Sequence, residues 1–189
     1  MLLTLSLKAK GQATPPRNWV ESVVEYKNAG VVIHNSFPKG GGRYTGPTGM
    51  EHSYVIFWTR IVNESDRQLE LAVSLPSDPF TLFPSPDSYI KLFLLPDTMT
   101  LEKVQLPDYG VTNLKFSLDA GFNKPIRLQA TVEPKAERFF YTAVIFYQAR
   151  GTARAGLVLK GQDLFFKIRV SPDVDNALIP CGQLVPWKP

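Results

Sequence analysis

Leu69, Leu71, Val73 and Leu75 alternate without a break with Glu70, Ala72 and Ser74. No helix can gather those four apolar residues on one face, because helical neighbours recur every 3.6 residues and strand neighbours every two. The same period returns along the chain. Ile126, Leu128, Ala130 and Val132 alternate with Arg127, Gln129 and Thr131; Leu164, Phe166, Ile168 and Val170 with Phe165, Lys167 and Arg169; and Leu114, Phe116 and Leu118 with Asn113, Lys115 and Ser117. Each run reads as a strand with one buried and one solvated face.

Two segments, "YVIFWTRIV" (54–62) and "RFFYTAVIFYQ" (138–148), are apolar on both faces. Such runs suit central strands whose outer side is covered by a loop or neighbour. Turn residues punctuate the pattern. "KNAG" (27–30) precedes "VVIHNSF", "NESDR" (63–67) splits a hairpin within 61–73, and "KGQD" (160–163) joins "AGLVL" to "LFFKIRV". "NWVESVVEY" (18–26) places Val20, Val23 and Val24 on one helical face, but its valines favour a strand. The proline-rich stretch 75–89 reads as a connection within one core. The expected fold is all-β: a two-layer antiparallel β-sandwich, immunoglobulin-like or jelly-roll-like, of about ten strands with under about one-tenth helix.

At 189 residues the chain suits one domain, taken as 19–189. Residues 1–18 have two readings. As the end of an export signal, Leu2 to Leu7 form the apolar part, and Ala9 and Gly11 place small residues ahead of a cleavage before Gln12, although no basic region precedes them. As a strand, Leu3, Leu5, Leu7 and Ala9 alternate with Thr4, Ser6, Lys8 and Lys10, and Pro15-Pro16 ends the run. The first reading places the protein in the periplasm or outside the cell. No apolar run reaches the ~18 residues of a membrane-spanning helix. Cys181 is the single cysteine, which excludes an intrachain disulfide and a cysteine-rich metal site.

The net charge of +4 is unevenly spread: residues 1–60 hold 7 basic and 3 acidic side chains, 61–120 hold 4 and 9, and 121–189 hold 10 and 5. No block of like charge and no nucleic-acid-binding motif accompanies it, so DNA or RNA is not an expected partner.

"VNESDRQLELAV" (62–73) and "LQATVEPKAERFFYTAVIF" (128–146) resemble phrases of bacterial secreted immunoglobulin-like β-sandwich modules, in which a polar turn leads into an "L-x-L" strand and a proline-containing turn into the strand opposite. The stretch from "SYIKLFLLPDTMTLEK" to "RAGLVLKGQDLFFKI" is similar to exported proteins of gliding marine bacteria of unassigned function. These resemblances imply a sandwich and export, and no activity. Such modules are nearer half this length, so extra strands or long loops must be added.

"KGGGRYTGPTG" (39–49) is the most site-like stretch. Gly41 and Gly46 have the spacing of a phosphate-binding loop, but Pro47 stands where the lysine is required and a strand follows, so no nucleotide cofactor is implied. What remains is a flexible loop, either a plain connector or a binding loop presenting Lys39, Arg43 and Tyr44. On that reading Arg43 and Tyr44 could be replaced by alanine with little change in melting temperature. His34 and His52 could meet across a hairpin near Glu51, yet zinc needs three or four ligands and a strand turns Glu51 and His52 to opposite faces, so no metal is expected.

Hydrolase motifs are missing. There is no G-x-S-x-G, Cys181 has no activating neighbour, and "SPDVDNA" (171–177) lacks a calcium loop's glycine and distal glutamate. A pair of carboxylates for glycoside cleavage depends on spatial separation and stays open. Tyr54, Trp58, Tyr89, Phe93, Tyr141 and Tyr147 form either a core beneath a covering loop or an exposed platform for stacking sugar rings. The expectation is a non-enzymatic exported binding or structural module at the cell envelope, with an envelope polysaccharide or another envelope protein as partner. A carbohydrate-binding module using the aromatic face is the alternative, and a hydrolase of unrecognised type the next.

Overall fold

The computed structural model describes residues 26–28, 30–81, 87–149, 153–170 and 177–186. The readings of residues 1–18, of most of 18–26 and of 171–176 lie outside the described residues. Eleven strands form two antiparallel sheets. They are β1 (Tyr26–Asn28), β2 (Val31–Asn35), β3 (Lys39–Thr45), β4 (Glu51–Asn63), β5 (Leu69–Leu75), β6 (Tyr89–Leu95), β7 (Ile126–Val132), β8 (Glu137–Tyr147), β9 (Arg154–Lys160), β10 (Asp163–Arg169) and β11 (Ala177–Pro186). One sheet runs β1-β2-β4-β8-β6, with β3 also paired to β4; the other runs β7-β5-β11-β10-β9. The two-layer sandwich is therefore as the alternation requires.

Between the sheets lies one core, built from the inward residues of both: Ile33, Phe57, Ile61 and Val144 meet Leu71, Val73, Leu157 and Phe166. β5 shows the pattern in its cleanest form, with its four apolar residues buried and Glu70, Ala72 and Ser74 exposed. Burying each such side chain stabilises the fold by roughly 1.5–3 kcal/mol before entropy is counted.

The polar turn 63–67 does not join a hairpin. β4 belongs to the six-stranded sheet and β5 to the five-stranded one, so the chain crosses the sandwich here. Asn63 makes the corner. It is wholly buried; its Nδ2 approaches the carbonyls of Arg67 (2.7 Å), Val132 (3.0 Å) and Glu133 (3.0 Å), and its Oδ1 accepts from the amide and hydroxyl of Ser65. Because Val132 and Glu133 lead from β7 into β8, one amide ties both crossings together. Alternation cannot distinguish a hairpin from such an arch, since both flank a turn with period-two runs.

A second amide closes the opposite side. Asn35, 1% exposed, donates to the carbonyl of Leu157 (3.0 Å) and accepts from its amide (2.8 Å), so a side chain supplies a partner on the edge of β9 where no strand pairs among the described residues. A Cβ on Gly156 would fall 2.5 Å from Asn35, which explains the glycine there.

Helical turns make up 12% of the structure, above the expected one-tenth. Two 3-10 turns (Leu101–Gln105 and Pro107–Gly110) lead into α1 (Leu114–Gly121). Sequence alternation marks 113–118 as a strand, and here it fails. Leu114, Leu118 and Phe122 also recur every four residues, and Leu118 and Phe122 are buried while Phe116 is 76% exposed. The alternating triplet thus contains a helical pair, and only Phe116 distinguishes the two patterns.

Cys181 sits between the sheets at 2% exposure, and burial pushes its thiol up to about 12. We expect native protein to resist a thiol-directed reagent and to react only once unfolded; rapid labelling at neutral pH without denaturant would contradict this placement.

Candidate functional site

The outer face of the six-stranded sheet carries the aromatic residues singled out in the sequence, in rows across the strands. Tyr44, His52, Tyr147 and Tyr89 form the first row, and Tyr54, Ile145 and Lys91 the next. Ile56, Ala143 and Phe93 follow, then Trp58, Tyr141 and Leu95. The segment 96–122 lies over this face. With Met99, Val104, Tyr109, Leu118 and Phe122 it makes a second core. Trp58 and Tyr141 are 1% and 0% exposed and Phe93 is wholly buried. They cannot stack on a sugar, and the exposed-platform reading is overturned at these positions.

What the polar ends of these side chains hold is the chain's own covering segment. Tyr141 Oη donates to the carbonyl of Tyr109 (2.7 Å), Tyr54 Oη to Asp108 (2.8 Å) and Tyr44 Oη to Asp119 (2.8 Å). Lys39 Nζ donates to the carbonyls of Val104 (2.6 Å) and Leu106 (2.9 Å) and lies 4.5 Å above the Tyr109 ring. Tyr109 Oη in turn donates to the carbonyl of Phe37 (2.6 Å). Asp108 and Tyr109 stand in the left-handed region at φ 48° and 55°, a conformation that costs roughly 1–3 kcal/mol per residue. These hydrogen bonds hold the turn in it.

Residues 39–45 are not a loop. They form β3, and only 46–50 turn. The glycine run admits the Tyr54 ring: a Cβ on Gly42 would lie 2.8 Å from that ring, and the ladder is irregular between Gly40 and Arg43. Arg43 is exposed and pairs with Glu51 at 2.9 Å. Tyr44 is 4% exposed, so replacing it would lower stability, contrary to the expectation from a free loop. Burial and the Asp119 hydrogen bond both push its hydroxyl pKa upward.

His34 and His52 do not meet. His34 pairs with Arg60, eight positions along β4 from His52, which is about 26 Å at 3.3 Å per residue. Among the described residues no group of three histidine, cysteine, aspartate or glutamate side chains is placed to hold a metal. Glu51 and His52 do turn to opposite faces, one exposed and one buried.

His52 centres the ring cluster at the sheet's end. Its Nε2 lies 2.8 Å from Tyr89 Oη, and the half-buried Tyr89 and Tyr147 stack at 5.2 Å beside it. Burial holds the His52 pKa below its ordinary value, the nearby carbonyls of Tyr44 and Met50 oppose that shift, and Lys91 adds to it. A histidine whose folded pKa is lowered binds its proton more readily when unfolded, so stability falls as pH drops below the unfolded value of about 6.5. We expect melting temperature to decline between pH 7 and 5, with a smaller decline in His52→Gln; an equal decline in both would remove His52 as a cause.

One concave feature was not read from the sequence. A groove of about 700 Å³ opens where β6 stops at Leu95 and Pro96 turns the chain outward over the sheet. Leu94, Leu95, Met99, Ile126, Leu128 and Phe140 form its apolar floor, and α1 forms one wall through Phe116, Ala120 and Gly121. Lys124, Arg127 and Arg138 stand on the rim, all three exposed. No carboxylate of the described residues pairs with any of them. The two acidic lining residues are engaged elsewhere: Glu137 with Arg60, and Asp97 with the Thr112 hydroxyl at 3.1 Å. A signal did exist in the sequence, since a helical reading of 114–122 leaves Phe116 as a lone exposed aromatic.

Compared with known proteins, the chain matches no family model and no curated protein. Among the described residues no helix is long and apolar enough to cross a membrane.

Proposed function

We propose that the chain is a non-enzymatic binding module, exported to the cell envelope, that works through the groove beneath Phe116. The observation that carries this reading is the groove itself. An apolar floor of ordinary ligand-site size lies under an aromatic side chain that is 76% exposed, within reach of three cations that lack acidic partners among the described residues. That combination favours a ligand with an apolar body and negative charge. The lining carboxylates support binding over catalysis, since one is neutralised by an arginine and the other accepts from a hydroxyl.

Anilinonaphthalene sulfonate, apolar and anionic, is the probe. Its fluorescence should rise with the wild-type protein, and most of that rise should vanish in Ala120→Trp, which fills the groove from the exposed side of α1. Phe116→Ser should weaken dye binding several-fold, with a stability change within about 0.5 kcal/mol as for other surface changes. Dye binding untouched by Ala120→Trp would defeat the reading.

A further inference from the structure

The ladder of the six-stranded sheet is incomplete beside the groove. β8 pairs along Glu137–Phe146 with β4, but β6 reaches only from Tyr147 to Tyr141 on the other side. Residues 137–140 therefore have a strand on one flank and, among the described residues, none on the other. They are also the β8 residues that line the groove. β6 would continue along them had Pro96 not diverted it, because proline favours an exit from the ladder and Leu95 is the last residue paired. A strand edge presents N–H and C=O groups to whatever lies beside it, and here that is an apolar slot.

We propose that the groove takes an extended, acidic peptide segment of a partner protein, which adds a strand to β8 at residues 137–140 in the place β6 vacates. The proposal rests on the binding-groove reading and names its occupant. Three features select this occupant. The free edge is about 13 Å long, or four residues at strand rise, and backbone pairing there would satisfy groups that a compact ligand leaves to water. Apolar residues line both sides of the strand path, Leu94, Ile126 and Leu128 with the core between the sheets and Met99 with the core under 96–122, so peptide side chains have somewhere to bury. The rim cations Lys124, Arg127 and Arg138 stand exposed at the mouth of the groove, which makes glutamate or aspartate the matching residues there. β7, whose start forms the far lip, also has no second neighbour in its sheet among the described residues, so the slot is bounded by two such edges.

The test uses a short acetylated and amidated peptide of alternating valine and glutamate, followed by fluorescence anisotropy and by amide hydrogen exchange of the full protein. Binding is expected, with at least about tenfold loss when lysine replaces glutamate in the peptide and a similar loss when alternate peptide amides are N-methylated. Alternate amides within 137–140 should exchange at least about tenfold more slowly in the complex. Arg127→Glu combined with Arg138→Glu should reverse the preference between the two peptides; both positions are exposed, so folding is not at stake.

If the N-methylated peptide binds equally well and exchange at 137–140 is unchanged, strand addition is wrong while the groove reading stands. If no peptide binds yet the dye still does, the occupant is not a peptide. Concentration-dependent protection of 137–140 in the protein alone would make a second copy the occupant and overturn the proposal of a distinct partner. Dye binding indifferent to Ala120→Trp would instead sink the groove reading beneath it.

Discussion

Replacing Gly182 by alanine should remove more than about 4 kcal/mol of stability, among the largest effects a single methyl group can have. Gly182 lies in β11 opposite Val73 of β5, next to an irregularity in the pairing with β10, at φ +143°. A Cβ built there would fall 1.9 Å from the carbonyl oxygen of Ala72 and 3.0 Å from the Cα of Val73. Both atoms are backbone, so relief would require parting β11 from β5. Side-chain rotation cannot provide it. Thermal unfolding should show a fall of about 10 °C or more, given ~2–4 °C per kcal/mol for a chain of this size. Gly161→Ala is the control: its φ is also positive at +64° but nothing lies within 4 Å, so only the backbone preference of about 1 kcal/mol is lost. Similar melting temperatures for the two variants would show that the close approach of β11 to β5 is not real.

Asn63→Ala should cost about 3–5 kcal/mol. The substitution leaves the carbonyls of Arg67, Val132 and Glu133 without the amide that serves them, two of those bonds being part-buried and that to Val132 buried. Asn63→Asp sharpens the test. An aspartate there would put a carboxylate among three carbonyl oxygens, so its folded pKa would rise above the unfolded ~3.9. A raised acid pKa means stability is retained at low pH and lost as pH climbs through the unfolded value. Asn63→Asp should therefore be far less stable at pH 7 than at pH 4 relative to the wild type, whereas the deficit of Asn63→Ala should vary little with pH. Urea midpoints at the two pH values decide it; parallel deficits would mean that the amide's donor role is not what stabilises the corner.

The parts of the fold that were legible are those in which one face is wet. β5, β7 and β10 alternate because each has a buried side and a solvated side, and that contrast is a property of the sequence alone. β4 and β8 were legible as doubly covered, and the cover is 96–122. Lost from view were the relations between elements. The corner at Asn63 and a hairpin have the same local pattern, and only the partners of its side chain distinguish them. Triple glycine at 40–42 signals freedom when read locally, but Gly40 and Gly42 make room for Tyr54, fourteen and twelve positions away. For the candidate site the loss was greater. Lys39, Tyr44 and Tyr141 were expected to meet a ligand, and in the fold the polar end of each holds the covering segment. The groove depends on where β6 stops and on three basic residues of different elements arriving at one rim, and neither is written in a period or a motif.

β11, the latest of the described strands to be made, occupies the middle of its sheet, between β5 and β10. Without β11 the native pairing of the five-stranded sheet reduces to two disconnected pairs, β7 with β5 and β9 with β10, each with open the edge that β11 fills. Neither pair can lock the other until Ala177–Pro186 has left the ribosome. The five-stranded sheet can be completed only with this segment in place, between the two sides that Asn35 and Asn63 fasten. Any ribosome stalled before residue 177 holds a chain with two sticky edges and no native partner for them, which is the state that proteases and holding chaperones recognise.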